Sequence, residues 1–267
     1  MRNLFWIVSV VLLSSGAVQA HDYWLQPDRF FLQVNDTVSV HLFVGHDFAD
    51  EVERPFQAKP TLRFQLVSQK STRDLTQAGI EGKKPTATLS LRNPGTHWLL
   101  MERDFFQITI EAEKFNRYLK HEKLDAILKA RRKLGEEKKP GRERYCRSLK
   151  SLLQAGEKSD DTWKRILKQR LEIVPLANPA DLKPGGTLRV RILFAGKPLA
   201  HVTVFRLSRA GKQVKSSSSQ TDKNGVAVIR IGEKGIHLVR LVHMRRCVGD
   251  PKADWESFWS AMTFAVR

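Results

Sequence analysis

The histidine at position 21 is the residue best placed to do chemistry, because of what precedes it in the chain. The sequence has a basic residue at its second position, Arg2, then an apolar run over residues 4–13, and then mostly small residues up to Ala20. Charged, apolar and small residues in this order are typical of a cleaved secretory signal peptide. We therefore expect residues 1–20 to be removed and the mature protein to begin at His21.

A histidine at a chain terminus can bind a metal ion in a way that no internal histidine can. Its α-amine and its imidazole Nδ1 close a chelate ring, and copper(II) and nickel(II) favour such nitrogen-rich, near-planar ligand sets. One further imidazole would complete a site of three nitrogens. The best further candidates are His46 and His243, since each lies at a predicted strand or strand end. We expect a site for copper, nickel or cobalt built from His21 with His46 or His243.

These residues also have structural explanations, which the sequence leaves open. His21 could simply be the residue that follows the cleavage site. His46 and His243 could be hydrogen-bonded or exposed strand residues, and Met244 could be a core residue rather than a thioether ligand. The weaker histidine candidates lie in alternating strands or on a charged helix: His41, His97, His121, His201 and His237.

The apolar pattern divides the mature chain into three parts. Residues 21–112 alternate in short runs separated by turns, which predicts an N-terminal β-sandwich domain. In residues 113–169, leucines recur at helical spacing among charges, which predicts a basic helical segment packed on the β domains. Residues 170–267 return to strands and turns, which predicts a C-terminal immunoglobulin-like β-sandwich. The expected fold is mainly β, with two β-sandwich (immunoglobulin-like) domains and a helical segment between them.

The net charge of +18 does not by itself indicate a nucleic-acid partner. Much of the excess lies between residues 111 and 170, where it fits a solvated helical surface. Export argues against a genomic target, and no recognition-helix motif accompanies the charge. We expect no nucleic-acid partner. An envelope component or a membrane metal transporter is a partner that the exported, basic protein could meet.

The compartment follows from the same N-terminal pattern. The apolar run is too short to span a bilayer, and no later window approaches the roughly 18 apolar residues that a membrane helix needs. We expect a periplasmic or secreted protein that does not span the membrane. In that oxidising compartment Cys146 and Cys247 could pair or stay free.

Signatures of known enzyme classes are absent from the sequence. It has no nucleophile elbow, no His-Glu-x-x-His motif, no phosphate-binding loop and no dinucleotide fingerprint. We therefore do not expect an enzyme. Trp255 and Trp259 are four residues apart and would share one face of a short helix, either as a core plug or as a platform for carbohydrate.

Several stretches together resemble one known family. They are His21–Pro27, Glu113–Leu119, Glu143–Tyr145 with Lys150, Leu171–Pro175, Thr221–Gly225, Val242–Met244 and Asp254–Trp259. Their order and content resemble the DUF4198 family of exported bacterial proteins, which is related in name to periplasmic components of nickel and cobalt uptake systems. The resemblance covers essentially the whole mature chain. It implies β-sandwich domains and a transition-metal role, and it supplies no catalytic residue.

Three functions are compatible with these observations. The first is an exported metal-binding protein, accessory to nickel, cobalt or copper uptake or handling, with His21 as its anchor. The alternative is a non-catalytic β-sandwich module that docks on an envelope polymer or protein. A weaker alternative is a copper oxidase with a histidine brace, which would need an open coordination position on the metal.

Overall fold

The structure, a computed structural model, describes residues 22–49 and 51–267. Within these residues the chain forms seventeen strands, two α-helices and two short 3-10 helices. The prediction of a mainly β fold is confirmed. The predicted signal peptide and His21 lie outside the described residues.

Strands and helices follow one another along the chain with short connections. The strands before the helices are β1 (Asp22–Pro27), β2 (Phe31–Leu32), β3 (Thr37–Gly45), β4 (Val52–Arg54), β5 (Thr61–Val67), β6 (Thr72–Asp74), β7 (Ala87–Ser90) and β8 (Gly95–Ile110). The helices are α1 (Ala112–His121) and α2 (Asp125–Lys133). The later strands are β9 (Gly141–Ala155), β10 (Leu171–Pro175), β11 (Thr187–Phe194), β12 (Lys197–Pro198), β13 (Thr203–Ala210), β14 (Gln213–Gln220), β15 (Val226–Arg230), β16 (Gly235–Arg246) and β17 (Trp255–Val266). The 3-10 helices, Asp161–Lys164 and Pro179–Asp181, lie on either side of β10.

These strands form three sheets. Sheet A has the order β1-β3-β4, with β7 also paired to β3, and sheet C has the order β10-β11-β12, with β15 paired to β11. The central sheet has the order β14-β13-β16-β17-β9-β8-β5-β6, with β2 beside β9. Its neighbouring strands are antiparallel except where β9 pairs with β17 and with β2, which run parallel to it.

The central sheet is buried on both faces. Successive side chains of a strand point to opposite faces, and along β8 Leu99 and Met101 join the cluster of Trp24 and sheet A, whereas Trp98 and Leu100 join the cluster of sheet C. All five side chains are inaccessible to solvent. The molecule therefore has two sandwich cores, one on each face of the central sheet, and each core uses strands from both predicted β domains.

The two helices pack beside sheet A on the same face of the central sheet. Phe115 and Leu119 of α1 contact the cluster of Met244 and Trp255. Along β16, Leu238 belongs to the sheet A core and Met244 to the helix core, and the even spacing puts both on one face. No helix among residues 22–49 and 51–267 is long and apolar enough to cross a membrane.

The helical prediction is wrong for the segment that forms β9. The helices occupy only the first part of 113–169, and Gly141–Ala155 is a strand in the middle of the central sheet. A strand with two buried faces has no alternation of apolar and polar residues. Leu149 and Leu153 face one core and Leu152 faces the other. Because Leu152 and Leu153 follow Leu149 by three and four residues, the three leucines have the spacing of an amphipathic helix.

Trp255 and Trp259 are also not helical, because both belong to β17. A spacing of four keeps them on the same face of a strand as well as of a helix. Both rings are buried in the helix core, where Trp259 stacks on Tyr118 with ring centroids 5.8 Å apart. Trp255 and Trp259 therefore pack in the core, which is one of the two roles that the sequence left open.

Candidate metal site

Two histidines and an aspartate meet where sheet A adjoins α1. His46 and Asp47 directly follow β3, and His121 ends α1. His46 Nε2 lies 3.3 Å from Asp47 Oδ2, and His121 Nε2 lies 3.7 Å from Asp47 Oδ1. One ligand atom from each of the three residues lies within 4.8 Å of the others. Since nitrogen and oxygen ligands sit about 2.0–2.2 Å from a transition metal, a small inward movement would let all three bind one ion.

A sharp turn after β3 sets the direction of these side chains. Asp47 and Phe48 both have positive φ, 50° and 62°, and a bulky residue in the left-handed region is uncommon. Phe48 is fully buried and lies edge-on to Trp24, with ring centroids 5.1 Å apart. Burial of the Phe48 ring offsets the backbone strain and anchors the turn, which leaves His46 and Asp47 pointing to solvent.

Behind the two histidines a buried chain of charges joins three elements. Glu122 Oε1 lies 3.0 Å from His121 Nδ1, and Glu122 Oε2 accepts a hydrogen bond of 2.5 Å from Arg240 Nη1. Arg240 Nε is 2.5 Å from Asp22 Oδ1, an ion pair without aligned hydrogen-bond geometry. Glu122, Arg240 and Asp22 are all buried, so a charge from the central sheet holds together the start of β1 and the end of α1.

This chain of charges orients the His121 ring. When Nδ1 of His121 donates to Glu122, Nε2 is left as an acceptor on the side of Asp47, as in metal sites where a carboxylate fixes the histidine tautomer. The hydrogen bond to Glu122 raises the pKa of His121. Burial opposes ionisation of Glu122, but the hydrogen bonds from His121 and Arg240 prevail and its pKa is lowered. Burial raises the pKa of Asp22 to about 6 although Arg240 lowers it.

The predicted ligands differ in where they lie. His46 is part of the cluster, and about 40% of its side chain is exposed. His21 is outside the described residues, but the residue after it, Asp22, pairs with Gly45, the residue before His46. The structure does not bring His243 to His46. His243 lies on the opposite face of the central sheet, with its ring centroid 4.7 Å from that of Phe194, and burial lowers its pKa.

His121 is the member of the cluster that the sequence did not single out. It belongs to a charged helix, and its place in the helical pattern is that of a solvated surface residue. Only the packing of α1 beside sheet A brings it to within a ring-centroid distance of 5.4 Å from His46. The one local signal is the acidic neighbour Glu122, which supplies the orienting carboxylate.

Three other histidines and the two cysteines have structural roles or are isolated. His41 lies between Asp28 and Glu53, at 2.7 and 2.8 Å from their carboxylate oxygens. Nε2 of His97 and of His237 contacts a backbone carbonyl oxygen. Cys146 and Cys247 are both free.

Comparison with known proteins identifies one family. Residues 18–245 match the family described as "Domain of unknown function (DUF4198)". No curated protein matches the sequence. Among solved structures, dimeric latent PorU from Porphyromonas gingivalis is similar at 12% identity, over 92% of this chain and 20% of that chain, with a TM-score of 0.21. A score this low does not indicate a shared fold.

Proposed function

Because the chain belongs to the DUF4198 family, whose description assigns no function, we propose a function from the site itself: an exported protein that binds copper(II) or nickel(II). The ligands are the amine and imidazole of His21, the imidazoles of His46 and His121, and the carboxylate of Asp47. The observation that supports this most directly is the convergence of His46, Asp47 and His121 at the end of the strand that pairs with β1.

The register of sheet A connects His21 to the cluster. β1 and β3 are antiparallel, and their last described pair is Asp22 with Gly45. In the sequence, His21 directly precedes Asp22 and His46 directly follows Gly45. The amine and imidazole of His21 are therefore the proposed partners of His46 at one ion.

The ligand set favours copper(II) or nickel(II) among divalent metals. Three imidazoles and an amine would supply nitrogen donors, for which both ions have high affinity, and the carboxylate of Asp47 would add an oxygen donor. The amine becomes available only when the signal peptide is removed, so export and metal binding are linked. A protein retained before cleavage would lack the amine ligand.

Exposure of the site suits exchange of the metal rather than permanent storage. The side chains of His46, Asp47 and His121 are 40%, 51% and 41% exposed. A partner could approach the ion directly, whereas a fully buried site would need the protein to open. This exposure supports a proposed role in metal handling, as a carrier that captures an ion and passes it to a membrane transporter or another envelope component.

A one-residue extension tests the proposal. The protein is exported so that it begins at His21, and a second form carries one additional alanine before His21. Calorimetric titration with copper(II) and nickel(II) should give much weaker binding for the extended form, as weak as for His21→Ala, because every side chain is intact and only the amine is displaced. Equal affinity of the native and extended forms would show that the amine is not a ligand.

A further inference from the structure

Two arginines face each other across neighbouring strands of the central sheet. Arg103 of β8 and Arg147 of β9 are direct partners in the antiparallel register. Their guanidinium carbons lie 5.8 and 4.8 Å from the centre of the same ring, Tyr23 of β1. Like charges directly opposite each other destabilise a sheet, so this arrangement requires something that offsets the repulsion.

The rest of the described chain shows how this protein treats cations that are buried as Arg103 is. Arg240 and Arg206 each pair with carboxylates, Lys150 pairs with Glu172, and Arg131 donates to the carbonyl oxygens of Glu136 and Lys139. Burying a charge is costly unless it is paired and hydrogen-bonded. Three of these four cations are paired with a carboxylate, and Arg131 is hydrogen-bonded to backbone carbonyl oxygens without an ion pair.

Among residues 22–49 and 51–267, Arg103 and Arg147 have neither an ion pair nor a backbone carbonyl oxygen as acceptor. Arg103 is 4% exposed and donates from Nη2 to the neutral amide of Gln57, while its Nη1 is buried without an acceptor. The Nε of Arg147 is likewise buried without an acceptor. Burial lowers the pKa of Arg103, and the charge of Arg147 lowers it further.

The surroundings of the pair are aromatic rather than acidic. Arg147 lies 4.8 Å from the ring centre of Tyr145 and 5.4 Å from that of Trp259, and Phe106 stacks on Tyr145. Glu143 is close enough for Arg147 to influence its pKa, but its carboxylate accepts from Ser257 and Tyr118 instead. Contacts with rings stabilise a guanidinium in part, yet they provide no acceptor for its N–H groups.

We propose that the Arg103–Arg147 pair is the anchor of a second site, which binds the phosphate or the paired carboxylates of a small anionic molecule. Two guanidinium groups present planar forks of donors that match such oxyanions. The partly exposed rings of Tyr23, Phe106 and Tyr145 form the wall against which the rest of the molecule packs. The site uses none of the proposed metal ligands, and it does not depend on the proposed function.

Binding of anions by metal-free protein tests this site. Calorimetric titration and thermal unfolding are carried out with inorganic phosphate and with citrate, each against sodium chloride at equal ionic strength. We expect at least one of the two anions to bind and to raise the melting temperature. Phosphate alone would identify a phosphate ligand, and citrate alone would identify a carboxylate ligand. The proposal is overturned if neither anion binds.

Variants separate a binding role from a packing role. Arg147→Gln should weaken binding about tenfold or more, since it removes a charge-assisted hydrogen bond, and it should not lower the melting temperature in chloride because it also removes the repulsion. Arg245→Gln, at a 55% exposed arginine paired with Glu256, is the matched control and should bind as the native protein does. If Arg147→Gln lowers the melting temperature equally in every salt and leaves the affinity unchanged, Arg147 only packs against the rings.

Discussion

His121 Nε2 lies 3.7 Å from Asp47 Oδ1, while Nδ1 of the same ring lies 3.0 Å from Glu122 Oε1. One imidazole therefore connects a buried carboxylate to a solvent-exposed one. In metal sites, a histidine ligand commonly has such an orienting carboxylate on its other ring nitrogen. The relationship makes His121 as important to the proposed site as the histidine at the end of β3.

Removal of either described histidine of the cluster should weaken metal binding. We expect His46→Ala and His121→Ala each to reduce the affinity for copper(II) by roughly ten- to a hundredfold, in line with the loss of a ligand or its support. His243→Ala, on the other face of the central sheet, is the matched control and should change the affinity little. Calorimetric titration measures all three. A large loss for His243→Ala together with none for His121→Ala would contradict the site.

Metal affinity should fall as the pH is lowered, and His121 sets part of that dependence. Ligand nitrogens must be free of protons to bind, and the pKa of His121 is raised above its ordinary value of 6.5 by Glu122. Protons therefore compete with the metal for His121 at a higher pH than they would for an unperturbed histidine. Titrations between about pH 5 and 8 should show a steeper loss for the native protein than for His121→Ala. Parallel curves would mean that His121 binds no metal.

Glu143 should make the protein less stable as the pH rises. Burial raises its pKa to about 7 from 4.5, so the folded state holds a proton that the unfolded state has lost. The free energy of unfolding then falls as the pH increases from about 4.5 to 7, and the shift corresponds to about 3 kcal/mol. Glu143→Gln, which imitates the protonated carboxyl, should lose this dependence and be the more stable form at pH 8.

Urea unfolding at several pH values measures the effect of Glu143. Glu157→Gln, at an exposed acid on the turn after β9, is the control and should follow the native curve. If Glu143→Gln is less stable than the native protein at pH 8, the ionised carboxylate is stabilised by its neighbours and the assigned direction of the pKa shift is wrong.

Arg240→Gln should destabilise the whole junction between β1 and α1. It leaves the buried carboxylates of Asp22 and Glu122 without their counter-ion, which typically costs about 3–5 kcal/mol. Arg245→Gln on the same strand removes an exposed partner of Glu256 and should cost less than about 1 kcal/mol. Chemical unfolding compares the two variants. If Arg240→Gln lowers the free energy of unfolding by less than Arg245→Gln does, the Arg240 contacts contribute no net stability.

The two free thiols should react at very different rates in the folded protein. Burial raises the pKa of the Cys146 thiol to about 12, and only the thiolate is an effective nucleophile. Cys247 lies beyond the end of β16 and is partly exposed. Iodoacetamide at pH 8 should label Cys247 and spare Cys146, as mass spectrometry of digested protein can show. Equal labelling would mean that β9 opens readily.

Sequence patterns were reliable wherever an element has one buried face or a local hydrogen-bonding motif. Val38, Val40 and Leu42 of β3 alternate with partly exposed residues, which is the alternation that predicts strands in residues 21–112. Asp222 accepts hydrogen bonds from the backbone of Asn224 and Val226, which is the local motif of an Asp-x-Asn-Gly turn. In both cases the determinants lie within a few residues of each other.

Prediction failed where the environment comes from distant parts of the chain. β9 lies between β8 and β17, and both of its faces are covered by other sheets or helices, so its own residues give no period of two. The same limit applies to the site. A strand histidine such as His243 gives no indication of which face it will occupy, and His121 meets His46 only because α1 packs next to sheet A.

The parallel pairing of β9 with β17 has a consequence for how the molecule folds. Until β17 is in place, β9 presents an open strand edge together with apolar side chains on both faces, which is a template for association with other chains. Pairing between strands so far apart in sequence is also slow to form, because a long loop must close first. The closure of the central sheet is therefore the step most exposed to aggregation, and defects in β17 should reduce the yield of folded protein before they affect ligand binding.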